Sequence, residues 1–358
     1  MWILIFLLAG FALLLFGGEL LVRGASHLAV AAGVSPLVVG LTVVAYGTSL
    51  PELAVSVQSS WADKADIAVG NVVGSNIANI LLVLGIASLV TPLPVSREMV
   101  WRGVPLMIAV SVLFWLMAFD GNFGRADGLI LFIGSVAYTV FTVRHSRAHT
   151  RRKREEAAAM GVDVDAVETA RSIVVELAMV AAGLVLLVIG ANLLVRAAVE
   201  IAQSFGVSEL VIGLTIIAVG TSLPEIATTV VAGARDHRDL AVGNAIGSNL
   251  FNILMVIGLS ALIAPHGIPV AMQAVAIDMP IMIGIALVCL PIFWSGYCID
   301  RGDGALLLGL YVLYTIYLYL SSVAAAQPAM FVQVCWFVIA PAVAMWLVVK
   351  IVRARKRT

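Results

Sequence analysis

Long apolar runs, broken by short polar punctuation, dominate this chain. They recur near residues 2–22, 34–60, 66–90, 100–119, 126–143, 172–195, 207–232, 239–264, 271–294, 304–321 and 330–350. A run of about twenty apolar residues is what a hydrocarbon core of ~30 Å demands of a helix. The pattern therefore predicts an all-α integral membrane protein with about eleven spans. The first run, Met1 to Val22, has no basic segment before it. It also outruns the ~7–15 apolar residues of a signal peptide, so it reads as a span.

The punctuation repeats. GVSPLVVGLTVVAYGTSLPEL begins at Gly33, and GVSELVIGLTIIAVGTSLPEI begins at Gly206. The same offset of 173 residues aligns AVGNVVGSNIANILLVLG at Ala68 with AVGNAIGSNLFNILMVIG at Ala241, and 12 of those 18 positions are identical. With three inserted residues, Arg125-Ala-Asp127-Gly128 matches Arg301-Gly-Asp303-Gly304. Each unit holds five spans, and an odd number forces the second copy to insert upside down. The expected architecture is a pair of inverted-topology five-helix repeats, which places a substrate site where the copies meet. The repeats cover 1–143 and 171–321, joined by a linker over 144–170. The segment 322–358 adds an unpaired eleventh helix, expected to be peripheral, and a basic tail.

Composition agrees with a lipid environment. Of the 358 residues 62% are hydrophobic and 12% charged, half the ~25% charged residues of a soluble domain. The net charge of zero is uninformative, but its distribution is not. With an extracytoplasmic N-terminus and a cytoplasmic C-terminus, 18 of the 21 basic residues fall on the cytoplasmic side, leaving only Lys64, Arg125 and Arg196 outside. That is the asymmetry the positive-inside rule demands. Cys289, Cys298 and Cys335 form no metal or disulfide spacing. No nucleic-acid partner and no resident cofactor is expected; the partner is the bilayer.

Candidate chemistry concentrates at two acids. Glu52 and Glu225 lie inside apolar runs, each in Gly-Thr-Ser-Leu-Pro-Glu. An ionisable group there is costly and marks function. No basic residue lies in any span interior to neutralise them, so the charge needs a proton or a metal ion. Pro51 and Pro224 each remove a backbone donor, and Gly47 and Gly220 weaken the helix just before them. Together these can open the helix so that carbonyls face a cavity. Thr48, Ser49, Thr221 and Ser222 add hydroxyls one turn before each acid. Such hydroxyls often bond back to their own helix, but their repetition beside both acids favours ligation.

A second motif, Gly-Asn-x-x-Gly-Ser-Asn-x-x-Asn, puts Ser75 with Asn79, and Ser248 with Asn252, on one helix face. Gly70 with Gly74 and Gly243 with Gly247 are small-xxx-small pairs suited to close packing. Asn71, Asn76, Asn244 and Asn249 fit either helix bracing or ligation. All these donors are oxygens, which suits hard cations such as Ca2+, with ~6–8 oxygen ligands. Zinc, copper or iron would want His or Cys, and all five histidines fall in connections or at span ends. The same lack of a base argues against a serine hydrolase, and no enzymatic activity is expected. Glu19 and Arg23 read as a local ion pair, the Asp residues beside Gly at 120, 127, 300 and 303 as turn residues, and Asp278 has no assigned role.

Two copies of GTSLPE, each followed by GNxxGSNxxN, resemble the calcium/cation antiporter superfamily, and within it the prokaryotic sodium/calcium exchangers. The resemblance covers residues 1–321. It implies ten core helices, with the second, third, seventh and eighth spans lining the ion sites and the first and sixth sliding against them. Carried over by position, the metal ligands would be Glu52, Glu225, Thr48, Ser49, Thr221, Ser222, Ser75, Asn79, Ser248 and Asn252, joined by the backbone carbonyls of Ala45 and Ala218. The transported ions would be Ca2+ and Na+, exchanged across the inner membrane by alternating access. Some members carry Asp where Asn252 stands, a pattern similar to potassium-dependent exchangers, so Asn252 argues against potassium coupling. Two other readings stay open: a proton-driven cation exchanger, since a desolvated Glu binds H+ in place of metal, and a passive cation channel.

Overall fold

The computed structural model describes residues 2–62, 64–159, 173–205, 218–322 and 340–355. In chain order the helices are α1 (Trp2–Ala32), α2 (Pro36–Thr48), α3 (Leu50–Trp61), α4 (Ala65–Val90), α5 (Met99–Asp120), α6 (Arg125–Ala159), α7 (Ile173–Ser204), α8 (Ala218–Thr221), α9 (Leu223–Ala234), α10 (Arg238–Ile263), α11 (Ala274–Trp294), α12 (Arg301–Ser322) and α13 (Ala340–Arg355). Among the described residues eight helices are long and apolar enough to cross a membrane, and α2 with α3 makes a ninth, bent by 48°. The expected seventh span is described only from Ala218 and the eleventh only from Ala340; the linker expected over 144–170 is helical as far as Ala159, continuing α6, and its remainder, 160–170, lies outside the described residues.

The repeat is visible as matched geometry. Ser49 and Ser222 break the helices at φ −90°, ψ 13° and φ −88°, ψ 3°. Each is followed within two residues by a proline at the new helix start, where the missing N–H costs nothing. In the broken helix that proline cannot bond the carbonyl four residues back, which is Gly47 or Gly220. Glycine leaves room there: a Cβ on Gly47 would meet the Leu184 side chain at 2.5 Å, and one on Gly220 would meet Val195.

α1 and α7 are repeat mates lying antiparallel against each other. Their contact is a glycine ladder at heptad spacing. A Cβ on Gly10 would sit 2.9 Å from the Gly190 carbonyl, and one on Gly17 2.9 Å from that of Gly183. Close backbone approach by small residues is what holds helices together where lipid offers no hydrophobic drive. Burial then separates inner from outer helices. In α4 and α10, 83% and 78% of the most apolar window is buried, against 22% in α1 and 28% in α7. The helices carrying the second motif are thus central, and the ladder pair flanks them.

Two short antiparallel ribbons lock the repeats together. β1 (Leu93–Pro94) pairs with β4 (Cys298–Ile299), and β2 (Asn122–Phe123) pairs with β3 (Ile268–Pro269). Each joins a connection of one repeat to a connection of the other. The eleven-span order places both members of each pair on the same side, so the pairing fits an inverted repeat.

Of the aspartates expected in turns, Asp120 and Asp300 sit at helix ends, whereas Asp127 and Asp303 stand in the first turns of α6 and α12 and accept from the backbone that leads into each helix. Gly124 N–H donates to Asp127 Oδ2 at 2.9 Å, and its mate Asp300 N–H donates to Asp303 Oδ2 at 2.9 Å. Asp303 differs in being fully buried and ion-paired with Lys350 of α13, which also lies 3.2 Å from Asp300 Oδ2. Ser295 Oγ donates to the Lys350 carbonyl at 3.2 Å. The C-terminal helix is therefore tied into the second repeat more firmly than a peripheral addition requires. Glu19 likewise does more than pair with Arg23 at 2.5 Å: its other oxygen lies 2.9 Å from Arg235 Nε, joining α1 to the end of α9.

Candidate cation site

The two acids come to the centre of the helix assembly. Glu52 and Glu225 start α3 and α9, one turn after each break, and both are 1% exposed. The break lets the two copies reach each other. Ser49 Oγ donates to Glu225 Oε1 at 3.0 Å, across the repeat interface. Ser75 Oγ, from α4, donates to Glu52 Oε1 at 3.5 Å. A hydroxyl that gives its proton to a carboxylate keeps its lone pairs for a cation.

Six further candidate oxygens have no such partners among the described residues. Glu52 Oε2, Glu225 Oε2, Ser222 Oγ, Ser248 Oγ, Asn79 Oδ1 and Asn252 Oδ1 are buried without a hydrogen-bond partner among the described residues. Leaving a buried oxygen unsatisfied costs roughly 1–3 kcal/mol, more for a charged one. Such oxygens come from both repeats, and among the described residues no cationic side chain bonds either acid, so the arrangement could hold a cation. Among the described residues no three His, Cys, Asp or Glu gather to hold a metal. The candidate oxygens are two carboxylates and neutral hydroxyl and amide oxygens, donors that suit a hard cation.

Asn79 and Asn252 each open a stretch of wider π-type turns, Asn79–Val83 and Asn252–Ile257. Such bulges recur at functional sites because they re-aim side chains out of the regular helical register. Thr48 is buried and donates to Asn244 Oδ1 at 3.2 Å as well as back to the Ala45 carbonyl at 3.4 Å. That carbonyl also accepts Ser49 N–H at 3.1 Å, so it sits at the kink but stays engaged with its own helix. Thr221 is half-buried, and Ala218 begins the short helix before the second break.

The four remaining asparagines are braces. Asn71 Nδ2 donates to Ser56 Oγ at 2.8 Å and to the Glu52 carbonyl at 3.0 Å. Its mate Asn244 donates to Thr229 Oγ1 at 3.0 Å. These bonds fasten each motif helix to its acid-bearing helix. Asn249 Nδ2 lies 3.3 Å from the Asn76 carbonyl and 3.4 Å from Met107 Sδ, while Asn76 Nδ2 lies 3.6 Å from Met282 Sδ. Ser56 and Thr229 were not singled out in the sequence. Their signal was available: both are hydroxyls at the repeat offset, one turn after an acid.

Gly243 and Gly247 pack as the small-xxx-small spacing predicts, whereas a Cβ on Gly70 or Gly74 would meet nothing within 4 Å among the described residues. A Cβ on Gly243 would lie 2.7 Å from the Leu37 carbonyl, and one on Gly247 2.7 Å from both Leu41 Cα and its carbonyl. This contact seats α10, with Ser248 and Asn252, against α2.

Comparison with known proteins adds an independent line. A family model described as sodium/calcium exchanger protein matches residues 2–144 and 175–320. The chain is 37% identical over 320 residues to the inner membrane protein YrbG of Escherichia coli, covering 87% of this chain and 95% of that one. It is 33% identical over 347 residues to the sodium/calcium exchanger MaX1 of Methanosarcina acetivorans, covering 87% and 97%. A structure of the sodium-calcium exchanger NCX_Mj, soaked with zero Na+ and Ca2+, superposes with a TM-score of 0.74 at 29% identity, over 88% of this chain and 99% of that one.

Proposed function

As a member of the sodium/calcium exchanger protein family, to which this chain belongs, the protein is a multi-pass membrane antiporter of cations including calcium, and we propose that it exchanges Na+ for Ca2+ at a site built on Glu52 and Glu225. The observation that carries this reading is the set of buried oxygens, unpartnered among the described residues, that both repeats contribute on the acid-bearing helices and the motif helices packed against them. The ligands are Glu52, Glu225, Ser49, Thr48, Ser75, Asn79, Ser222, Thr221, Ser248 and Asn252, with the carbonyls of Ala45 and Ala218 at the two breaks. Transport proceeds by alternating access, the glycine-laddered pair α1 and α7 moving as a unit against the central helices.

Charge counting sets the coupling. Two ionised carboxylates with neutral Asn79 and Asn252 give the site a charge of about −2, which one Ca2+ or two Na+ neutralise. The surplus oxygens accommodate a third Na+, and the loaded carrier then bears a net positive charge. Voltage assists such an exchange by ~2.3 kcal/mol per 100 mV for each net charge moved. Outward sodium is expected to drive calcium uptake into proteoliposomes, with a rate that changes with the clamped potential and without added potassium. Uptake driven by a pH gradient instead would favour the proton exchanger, uptake needing neither gradient would favour a channel, and voltage-independent exchange would remove the third sodium.

The protein sits in the inner membrane, as the relative YrbG does by name, with its N-terminus outside and its C-terminus in the cytoplasm. The basic residues support that orientation. A reporter fused after Thr358 should read as cytoplasmic; an extracytoplasmic signal would overturn both orientation and span count.

A further inference from the structure

The buried polar contacts around Asn252 form a chain with a direction. Met282 Sδ faces Asn76 Nδ2 at 3.6 Å, Asn76 Oδ1 accepts from Asn252 Nδ2 at 3.2 Å, and Asn252 Oδ1 is left without a partner among the described residues. All of it is inside the molecule: Met282 and Asn76 are 1% exposed and Asn252 is fully buried. A thioether has no proton to give, so it can only accept. The amide that faces it must turn its NH2 group that way, which turns its oxygen the other way. That oxygen in turn demands a donor, so Asn252 presents its NH2 to Asn76 and its oxygen to the opposite side.

We propose that Met282 and Asn76 form a positioning relay that holds the Asn252 amide with its oxygen, not its nitrogen, toward the bound cation. This rests on the cation-site reading given above. A free carboxamide has two ends of equal size and opposite polarity, and an NH2 end aimed at a cation repels it. The relay removes that ambiguity from a neutral ligand. The mate relay is incomplete: Asn249 donates to Met107 Sδ, but its Oδ1 takes no donor among the described residues. Asn252 is thus the amide the structure orients, and Asn76, outside the ligand set, is the residue that orients it.

An aspartate at 252 supplies the test, because its two oxygens are equivalent and need no orienting. It would also set an acceptor against Asn76 Oδ1, so that losing Asn76 costs nothing there. Calcium binding to the purified full-length protein is measured by titration calorimetry for Asn76→Leu, alone and combined with Asn252→Asp, with Met282→Leu as a second, volume-conserving probe. Asn76→Leu alone should raise the half-saturating calcium concentration about tenfold, as one lost net hydrogen bond's worth of ligand orientation implies. Met282→Leu should raise it by about threefold, since sulfur is a weak acceptor. In the Asn252→Asp background, Asn76→Leu should leave affinity unchanged or improve it. Equal losses in both backgrounds would show that Asn76 only supports the fold, and no loss in either would remove the relay. Retained binding in Glu52→Gln would instead overturn the site itself, which keeps the two failures distinct.

Discussion

Glu52→Gln and Glu225→Gln are each expected to abolish calcium transport while the protein still inserts. The two carboxylates carry all the formal charge among the proposed ligands, and each keeps one buried oxygen without a partner among the described residues. Replacing either with an amide halves the site's charge and turns a ligand oxygen into a donor on one end. Calcium affinity follows ligand charge count closely, so sodium-driven flux should fall at least about a hundredfold. The fold should tolerate the change, because no cationic side chain loses its partner and Ser49 and Ser75 can still donate to the amide oxygen. Glu52→Asp keeps the charge but shortens the reach, and should retain a small measurable flux. Near-normal exchange in either Gln variant, with normal amounts of inserted protein, would remove the central claim.

Gly247→Val is expected to be the most damaging change outside the ligands. The new Cβ would lie 2.7 Å from Leu41 Cα and from its carbonyl, and 2.9 Å from Ala45 Cβ. Backbone atoms in a central helix cannot rotate aside as a side-chain end can. The only relief is to move α10 away from α2, and overpacking of that kind costs ~3 kcal/mol or more. The displacement falls on Ser248 and Asn252 at once, since they follow on the same helix. The variant should show a markedly lower thermal transition and little transport in whatever protein inserts. Gly47→Ala makes a useful contrast, because its close neighbour is the end of the Leu184 side chain, which can shift. Wild-type stability and flux in Gly247→Val would show that the α2–α10 contact does not set the site.

Much of the site was legible because lipid makes polar residues expensive. Glu52 and Glu225 stood out as charges in apolar runs, and the repeat doubled each signal beside them. The small-xxx-small spacing marks a close approach at Gly243 and Gly247 but shows none at Gly70 and Gly74 among the described residues, because residue type permits close packing without saying which helix comes near. The asparagines were harder. Helical spacing tells which residues share a face, but a carboxamide can brace or ligate equally well from the same position. Asn71 braces Ser56 at 15 positions' separation, whereas Asn252 meets Asn76 at 176, and no periodicity links residues so far apart.

The division between sequence and fold follows from the range of each force. Transfer of side chains into hydrocarbon is a local matter, so the run lengths determined the membrane class and the all-helical fold. The same locality singled out the paired acids. Everything that depends on which helix touches which was left to the tertiary structure. It alone decided that Ser49 of one repeat meets Glu225 of the other and that β1 meets β4 across the repeats. It also brought Lys350 to the buried Asp303, and left the oxygen of Asn252, rather than its nitrogen, unpartnered. Hydrogen bonds act only at contact, so their pattern exists only once the helices are packed.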